Sequence, residues 1–244
     1  MRLCGSIIDA PGSVQSLDLT GWVTIGREEE ESMRAILCVV AVGLVVGCED
    51  PGAKVESATV EAPPERAKPP EAADMAPAKA GRQLSISPEN TKIEFVGAKV
   101  TRSHEGGFTK FAGTVDLREP IEESIIEVTI DTSSLYADED KLAKHLKSPD
   151  FFDVEKHPSA KFRSIRITKT DAGHTITGDL TLHGVTKSIT FPATISKGAD
   201  GGVSSRAEFA IDRQDFGIAY PGMPDDLIRD KVVIKLDLKL PPQS

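Results

Sequence analysis

The chain has 244 residues, of which 39% are hydrophobic and 27% are charged, a composition compatible with one or two folded domains. Its formal net charge is −9. Because such an acidic chain is poorly suited to neutralising phosphate groups, the charge argues against a nucleic-acid-binding protein.

The most apolar stretch is residues 35–47, AILCVVAVGLVVG. It is shorter than the roughly 18 residues that a membrane-spanning helix needs. The stretch follows Met33 and Arg34 and ends at Cys48, as in a lipoprotein signal peptide whose cysteine is diacylated. The sequence therefore predicts a signal peptide over residues 33–47 and lipidation at Cys48. An ordinary secretory signal peptide that happens to contain a cysteine is the alternative.

Residues 1–32 stand in front of this predicted signal peptide and include four consecutive glutamates, 28–31. Because a signal peptide functions poorly behind such an acidic segment, we hypothesise that Met33 is the true start and that residues 1–32 are a mis-assigned extension. The mature protein would then lack Cys4, Cys38 and Trp22 and would keep Cys48 alone, which excludes an intramolecular disulfide. N-terminal sequencing of a precursor that signal peptidase has not cut would test this start.

Residues 48–83 are rich in alanine, proline, glutamate and lysine and show no periodic apolar pattern. Such a segment buries too little surface to fold, so the sequence predicts an extended, disordered tether.

From Leu84 onward, apolar and polar residues alternate with a period of two, which is typical of β-strands. Short glycine-containing connections, such as residues 170–173 and 183–186, indicate antiparallel hairpins. This pattern predicts an all-β domain over residues 84–244 that forms an eight-stranded antiparallel β-barrel, because closure removes exposed strand edges. A sandwich of two sheets is the alternative. The predicted strands are 91–100, 108–117, 124–132, 161–169, 174–182, 187–195, 203–211 and 231–240.

A short helical insertion interrupts the strands over residues 138–148, with Asp138 or Asp140 as its predicted N-cap. Ser148 and Pro149 then predict a second helical start. The adjacent Phe151 and Phe152 follow, and two neighbouring aromatic rings cannot both face the core from one regular strand. We expect this pair to close one end of the barrel, with one ring facing inward and the other under the helix.

The segments HLKSPDFFDVEKHPSAKF (145–162) and ITGDLTLHGVTKSITFPATI (176–195) resemble the YceI family of bacterial polyisoprenoid- and lipid-binding proteins. IDRQDFGI (211–218) is also similar, and the resemblance extends over residues 84–244. It implies a lipocalin-like barrel in the periplasm or cell exterior that holds an isoprenoid, quinone-like or fatty amphiphile, and it allows pairing into a homodimer. Residues 45–48, VVGC, look like the lipobox that precedes lipidation, whereas many members of the family are soluble. This difference predicts an envelope protein anchored to a membrane through Cys48.

Strand parity and the resemblance together predict the side chains that face a ligand. For each of them the alternative is an ordinary packed core. A barrel about 25 Å tall would accept a tail of about 20 carbons. The predicted ligand-binding residues are Ile93, Phe95, Phe111, Val115, Val128, Ile130, Phe151, Phe152, Phe162, Leu180, Leu182, Ile189, Phe191, Phe209, Ile211, Ile234 and Leu236, with Leu117, Ile126, Val232 and Leu238 on the same faces.

Residues that could bind a metal or take part in catalysis show weaker sequence patterns. The histidines show no metal-binding spacing such as H-x-H, so no metal site is expected, and His183 is interpreted as a turn residue or head-group contact. Asp225 with Asp226, and Ser133 with Ser134, lack a hydrolase motif. The sequence therefore predicts a membrane-tethered lipid-binding protein without catalytic activity or a cofactor other than bound lipid. The alternatives are a ligand-free structural or stress-response envelope protein with a filled barrel and, least favoured, a hydrolase.

Overall fold

The fold consists almost entirely of antiparallel β-strands in residues 50–63 and 81–242, the parts of the chain that the computed structural model describes. The predicted extension 1–32, the signal peptide 33–47 and Cys48 lie outside these residues. In the described part of the chain, no helix has the length and apolar character needed to cross a membrane.

The described residues contain fourteen strands, one α-helix and four short 3-10 turns. The helix is α1 (Asp140–Lys147), and the turns are Pro51–Ala53, Ile121–Glu123, Thr132–Ser134 and Arg213–Phe216. The strands are β1 (Thr59–Glu61), β2 (Arg82–Ile86), β3 (Thr91–Ala98), β4 (Ser103–Phe108), β5 (Phe111–Leu117), β6 (Ile125–Asp131), β7 (Leu135–Ala137), β8 (Ser159–Thr170), β9 (Gly173–Leu182), β10 (Val185–Lys197), β11 (Val203–Asp212), β12 (Gly222–Met223), β13 (Asp226–Leu227) and β14 (Lys231–Leu240).

Twelve of the strands form one curled antiparallel sheet. Its order is β2-β5-β6-β8-β9-β10-β11-β14-β3-β4-β7, with β1 added beside β10, while β12 and β13 form a separate small hairpin. Strand β3 follows β2 after a short turn and pairs with β14, so the sheet curls back toward the strand with which it began. One face of each long strand therefore points into a common interior.

The prediction of eight strands is wrong in number, although all eight predicted segments are present as β3, β5, β6, β8, β9, β10, β11 and β14. The additional strands are short, and four of them, β1, β7, β12 and β13, have three residues or fewer, so no alternation is visible in them. Polar side chains form the turns that separate some of these strands from the next strand in the chain. Asn90 Oδ1 accepts a hydrogen bond from the Ser87 amide at 3.0 Å between β2 and β3, and Asp131 Oδ1 accepts one from the Ser133 amide at 2.9 Å between β6 and β7.

Residues 50–63, the first part of the predicted tether, pack onto the sheet. Strands β10 and β11 pair with each other only over 194–197 and 203–206, and residues 56–61 occupy the gap beyond that point. The amide of Ala58 donates to the Ala210 carbonyl at 2.8 Å, and the Ala210 amide donates to the Glu56 carbonyl at 3.0 Å. The tether prediction is therefore corrected for this part, because an exposed strand edge offers backbone partners even to a segment with few apolar residues.

The insertion around α1 also differs in detail from the prediction. Neither Asp138 nor Asp140 caps the helix, which begins after Glu139, because Asp138 instead contacts the His104 ring, with Nδ1···Oδ1 at 3.0 Å. No second helix starts at Ser148. The Ser148 carbonyl accepts hydrogen bonds from the amides of Phe151 and Asp153, and the chain continues as a series of turns.

The interior contains two clusters of buried apolar residues. The larger cluster lies on β8 to β11 and includes the rings of Phe191, Phe209 and Phe216. The second cluster, called here the filled end, consists of Leu84, Ile86, Phe111, Val115, Leu117, Val203 and Leu240. The filled end closes part of the interior with side chains alone, and an unfilled space lies beside it.

Candidate ligand-binding site

A cavity of about 250 Å³ lies in the interior of the curled sheet. Its lining is almost wholly apolar, and the polar residues in it are Thr91, Ser205, Arg213 and Arg229. The cavity is lined by most of the predicted ligand-binding residues: Ile93, Phe95, Val128, Ile130, Phe151, Phe152, Phe162, Leu180, Leu182, Ile189, Phe191, Phe209, Ile211, Ile234 and Leu236. Ile126, Val232 and Leu238 line it as well.

Two predicted ligand-binding residues, Phe111 and Val115, do not line the cavity, and neither does Leu117 on the same face. Parity placed Phe111 and Val115 correctly inside, since they are only 8% and 6% exposed. They belong to the filled end, where β2 pairs with β5 and brings Leu84 opposite Val115. They therefore lie in the packed part of the interior and not at the cavity, because sequence parity cannot distinguish the two, and their contact with a ligand stays a prediction.

Aromatic rings form one wall of the cavity. Phe191 stacks on Phe209 with ring centroids 4.2 Å apart, and Phe162 lies 5.8 Å from Phe191 in a tilted arrangement. Gly178 allows this packing, because a Cβ at that position would lie 2.5 Å from Cζ of Phe162. These contacts hold the aromatic wall in place without a ligand.

Phe151 and Phe152 both line the cavity. Phe151 contacts the ring of His145 on α1, at a centroid distance of 5.0 Å, and the ring of Tyr220 at 5.2 Å. Phe152 makes an edge contact with Phe108 at 5.9 Å. The two adjacent rings thus pack against different elements, α1 and β4, because the turns after the helix release them from strand alternation.

Some cavity-lining residues had no signal in the sequence. Ile218 and Ile228 lie outside the long strands, on connections without periodicity, whereas Ile176 and Ala207 were not predicted although they share the strand parity of Leu180 and Phe209. The other residues missed by the sequence analysis are Ile86, Thr91, Gly97, Phe108, Leu146, Ala160, Ser205, Arg213 and Arg229.

Arg213 is a buried charged residue at the cavity wall, with a side chain 6% exposed. Its Nη1 donates to the Ile218 carbonyl at 2.6 Å, its Nε donates to the Arg229 carbonyl at 3.2 Å, and its Nη2 donates to Asp230 Oδ1 at 2.8 Å. These hydrogen bonds hold the connection before β14 in place and satisfy the donors of the buried guanidinium.

Arg229 differs from Arg213, because its Nε is buried without a hydrogen-bond partner among the described residues. Its side chain lines the cavity and is also 40% exposed, so it marks a point where the cavity approaches solvent. Nη1 of Arg229 lies 3.8 Å from Asp50 Oδ2, in the segment that precedes β1.

Asp226, one of the two adjacent acids singled out in the sequence, has a structural role. It accepts hydrogen bonds from Lys99 Nζ at 3.1 Å and Thr101 Oγ1 at 2.9 Å, which join the β12–β13 hairpin to the end of β3. Burial raises the pKa of the Asp226 carboxyl, but the contacts with Lys99 and Thr101 outweigh burial and hold it below its ordinary value of 3.8. Ser133 and Ser134 likewise form the turn after β6, where the Ser133 hydroxyl donates to Asp131 Oδ1 at 2.6 Å.

The described residues also bring together one group with the chemistry of metal ligands, formed by Asp153, His157 and His183. It lies beside the cavity-lining Phe152 and Leu182, which are their chain neighbours. His183 is distant in sequence from the other two, which is why no spacing motif indicated the group.

Two curated relatives and two solved structures show what the chain is similar to. A UPF0312 protein of Pseudomonas putida (strain W619) is 43% identical over 125 residues, which are 48% of this chain and 65% of that protein. A UPF0312 protein of Pseudomonas savastanoi pv. phaseolicola (strain 1448A / Race 6) is 42% identical over 125 residues, with the same coverage of 48% and 65%. The chain thus spans about 65% of the length of these relatives.

The crystal structure of BcnA from Burkholderia cenocepacia has a TM-score of 0.57 and 23% identity, covering 63% of this chain and 98% of its own. A polyisoprenoid binding domain from Saccharophagus degradans, implicated in plant cell wall breakdown, has a TM-score of 0.54 and 14% identity, covering 68% of this chain and 100% of its own. At these identities the likeness concerns the fold. Residues 84–240 match the YceI-like domain, which is more than half of the chain, and the protein therefore belongs to the YceI-like family.

Proposed function

We propose that the protein binds the aliphatic part of an isoprenoid, quinone-like or other amphiphilic lipid in the cavity and acts as a lipocalin-like container. The observation that carries this proposal is an unfilled, almost wholly apolar cavity of about 250 Å³. Each methylene that moves from water into such a space contributes about 0.8 kcal/mol before the costs of ordering and association. The polyisoprenoid binding domain of similar fold supports this choice of ligand class.

The cavity volume limits the tail that fits. Ligand pockets usually measure about 300–1,000 Å³, so a cavity of about 250 Å³ is small for the tail of about 20 carbons that the barrel height allows. We infer that part of a long tail stays outside or displaces side chains. Arg229, with its unpaired Nε and partial exposure, is suited to meet a polar head group near the surface.

Attachment to the cell envelope through Cys48 is a further part of the proposal. Asp50 lies only two residues after Cys48 and is 3.8 Å from Arg229 at the cavity wall. An acyl group on Cys48 would anchor the chain to the membrane, and the described segment that begins at Asp50 contacts the cavity wall through Arg229. The membrane would then be the source of the lipid that the cavity holds.

A ligand-free structural protein is the second candidate, and the filled end is the observation that favours it. Part of the interior is closed by its own side chains, as that function requires. The cavity beside it favours the binding function, because native interiors are normally packed to about 75% of their volume and leave few spaces larger than a water molecule.

The binding proposal predicts that filling the cavity expels the lipid. Ala207 is 9% exposed and lines the cavity, so Ala207→Phe places a ring in the lipid's space. Native mass spectrometry of the protein purified with its lipids should show a bound mass for the unmodified chain and none for the variant. Ala112→Phe adds the same ring at an exposed position on β5 and should keep the lipid.

Thermal unfolding provides the control for this experiment, since overpacking an interior costs about 1–3 kcal/mol and should leave the variant folded. An unmodified chain that is repeatedly recovered without any bound lipid would contradict the binding function and favour the structural one. A mass that matches acyl chains on Cys48 and disappears in Cys48→Ser would identify the occupant as the protein's own anchor.

A further inference from the structure

We propose that Asp153, His157 and His183 form a binding site for a divalent transition metal, with Zn²⁺ as the chemically best-suited ion. Their ligand atoms all lie within 4.8 Å of one another. Atoms bound to one tetrahedral Zn²⁺ through bonds of about 2.0–2.2 Å lie about 3.3–3.6 Å from each other, so binding requires the side chains to approach by at most about 1.5 Å. This inference is independent of the lipid-binding proposal.

Asp153 and His157 are placed by the turns that follow α1. The His157 amide donates to the Asp153 carbonyl at 2.8 Å, so a single turn of chain brings both side chains to one side. The buried Thr132 also stabilises this turn, because its hydroxyl donates to the His157 carbonyl at 2.7 Å. Both residues are therefore placed by backbone hydrogen bonds that do not involve a metal.

His183 occupies the two-residue loop between β9 and β10. It has a φ of 50° and the following Gly184 has a φ of 75°, the combination that a type I′ hairpin turn requires. The first position of such a turn favours asparagine, aspartate or glycine, so a histidine is an unusual choice for the backbone alone. Gly184 also permits the approach of the two rings, because a Cβ there would lie 2.7 Å from Cε1 of His157.

The ring of His183 is oriented for metal ligation. Its Nδ1 lies 3.2 Å from the Phe216 carbonyl, which accepts only, so this nitrogen carries the proton. The other ring nitrogen, Nε2, then presents its lone pair, and its ring lies 4.6 Å from the ring of His157. A backbone carbonyl that fixes the tautomer in this way is the usual outer partner of a metal-binding histidine.

Backbone strain supports a functional role for the same group. Within residues 50–63 and 81–242, the non-glycine residues with positive φ are Asp153, at 42°, and His183, at 50°. Such conformations are uncommon for residues with a side chain, although aspartate and histidine adopt them more readily than most, and they occur at ligand sites where the surroundings fix them. Both strained residues lie in the proposed site.

The ligand chemistry selects the class of metal. Two imidazoles and one carboxylate suit Zn²⁺ and similar transition metals better than Mg²⁺ or Ca²⁺, which prefer oxygen alone. Lys156 Nζ lies 2.8 Å from Asp153 Oδ2, and its side chain is 73% exposed, so this ammonium is a displaceable competitor for the carboxylate. Three protein ligands leave a fourth position open to water or another small ligand.

The test uses the full untagged chain with Cys4, Cys38 and Cys48 changed to serine, since thiolates bind Zn²⁺ themselves. Calorimetric titration with Zn²⁺, and the visible absorption of Co²⁺, should show one saturable site. His183→Asn, Asp153→Asn and His157→Gln should each weaken binding by at least about 100-fold, because losing an outer partner alone costs roughly 10–100-fold. Lys156→Gln should strengthen binding, since it removes the competing ammonium.

The His183→Asn variant separates metal binding from folding. Asparagine is favoured in a type I′ turn, which offsets the lost hydrogen bond to the Phe216 carbonyl, so the metal-free variant should unfold close to the temperature of the unmodified chain while losing the metal. His174→Gln, at the far end of β9, should bind Zn²⁺ unchanged. The proposal is overturned by an unmodified chain without a saturable site, by equal binding in His183→Asn, or by weaker binding in Lys156→Gln.

Discussion

Arg213 illustrates how one residue decides the shape of the cavity wall. Its guanidinium contacts carbonyl groups of Ile218 and Arg229 and the carboxylate of Asp230, although the surroundings are mostly apolar. A buried charge is tolerated only when its donors are satisfied, and the planar guanidinium satisfies several partners at fixed angles. The connection between β11 and β14 therefore depends on arginine chemistry and not only on positive charge.

This role predicts that Arg213→Lys is destabilising, although the charge is kept. Lysine replaces the planar guanidinium, with its several N–H donors, by a single ammonium and leaves buried carbonyls unpaired. This should lower the free energy of unfolding by about 2–3 kcal/mol. Urea unfolding would measure the loss. Arg206→Lys is the matched control, because Arg206 is 72% exposed and its ion pair with Asp237 is 3.5 Å long, so it should change stability by less than about 0.5 kcal/mol. Similar values for the two variants would contradict the assigned role.

At the residue scale, the sequence predicted the direction of the side chains better than their role in the interior. Period-two alternation placed Phe95, Phe191 and Ile234 on the cavity wall, because a strand fixes the direction of alternate side chains. Alternation placed Phe111 inward with equal success, but packing between distant strands decides that this region is filled. Asp153 and His183, the proposed metal ligands, had no signal as a group for the same reason, since a turn and a hairpin bring them together.

At the scale of elements, residues 50–63 pack onto the sheet, although the sequence predicted them to be part of a disordered tether. Its composition is that of a linker, yet residues 56–61 add backbone pairing where β10 and β11 separate. Ala58 and Val60 also pack against the larger buried cluster. Sequence patterns did not indicate this strand, because β1 has three residues and obtains its stability from an edge that only the folded sheet provides.

The segment should therefore contribute to stability, and Ala58→Pro tests this. Proline removes the amide that donates to Ala210 and leaves that carbonyl unpaired, which should cost about 1–3 kcal/mol. Hydrogen exchange should also become faster along β10 and the end of β11. Ala62→Pro, just beyond β1 at an exposed position, is the matched control and should leave both measurements unchanged. Equal effects of the two prolines would show that the pairing is unimportant.

At the scale of the whole molecule, the interior combines the two alternatives that the sequence left open. The filled end packs its side chains as in an ordinary core, while the neighbouring cavity remains apolar and open. Ile86 belongs to both, because it is buried in the filled end and also lines the cavity. If the cavity binds a lipid as proposed, the boundary between the two regions, rather than the height of the barrel, sets the length of tail that fits.

This boundary predicts how affinity depends on tail length. In a series of linear alcohols, each added methylene should tighten binding by about 0.8 kcal/mol, or roughly fourfold, until the cavity is full and the increments cease. Because the volume is about 250 Å³, this plateau should come well before about 20 carbons. Titration calorimetry across the series would locate it.

Removing a side chain of the filled end should move the plateau. Phe111→Ala is expected to cost about 3–5 kcal/mol of stability and to open space that borders the cavity, so that longer alcohols continue to gain affinity. Ala112→Gly, on the exposed face of the same strand, should leave the plateau in place. If affinity in the unmodified protein instead rises steadily through 20 carbons, the filled end yields to the ligand, and the empty volume does not determine the tail that the protein binds.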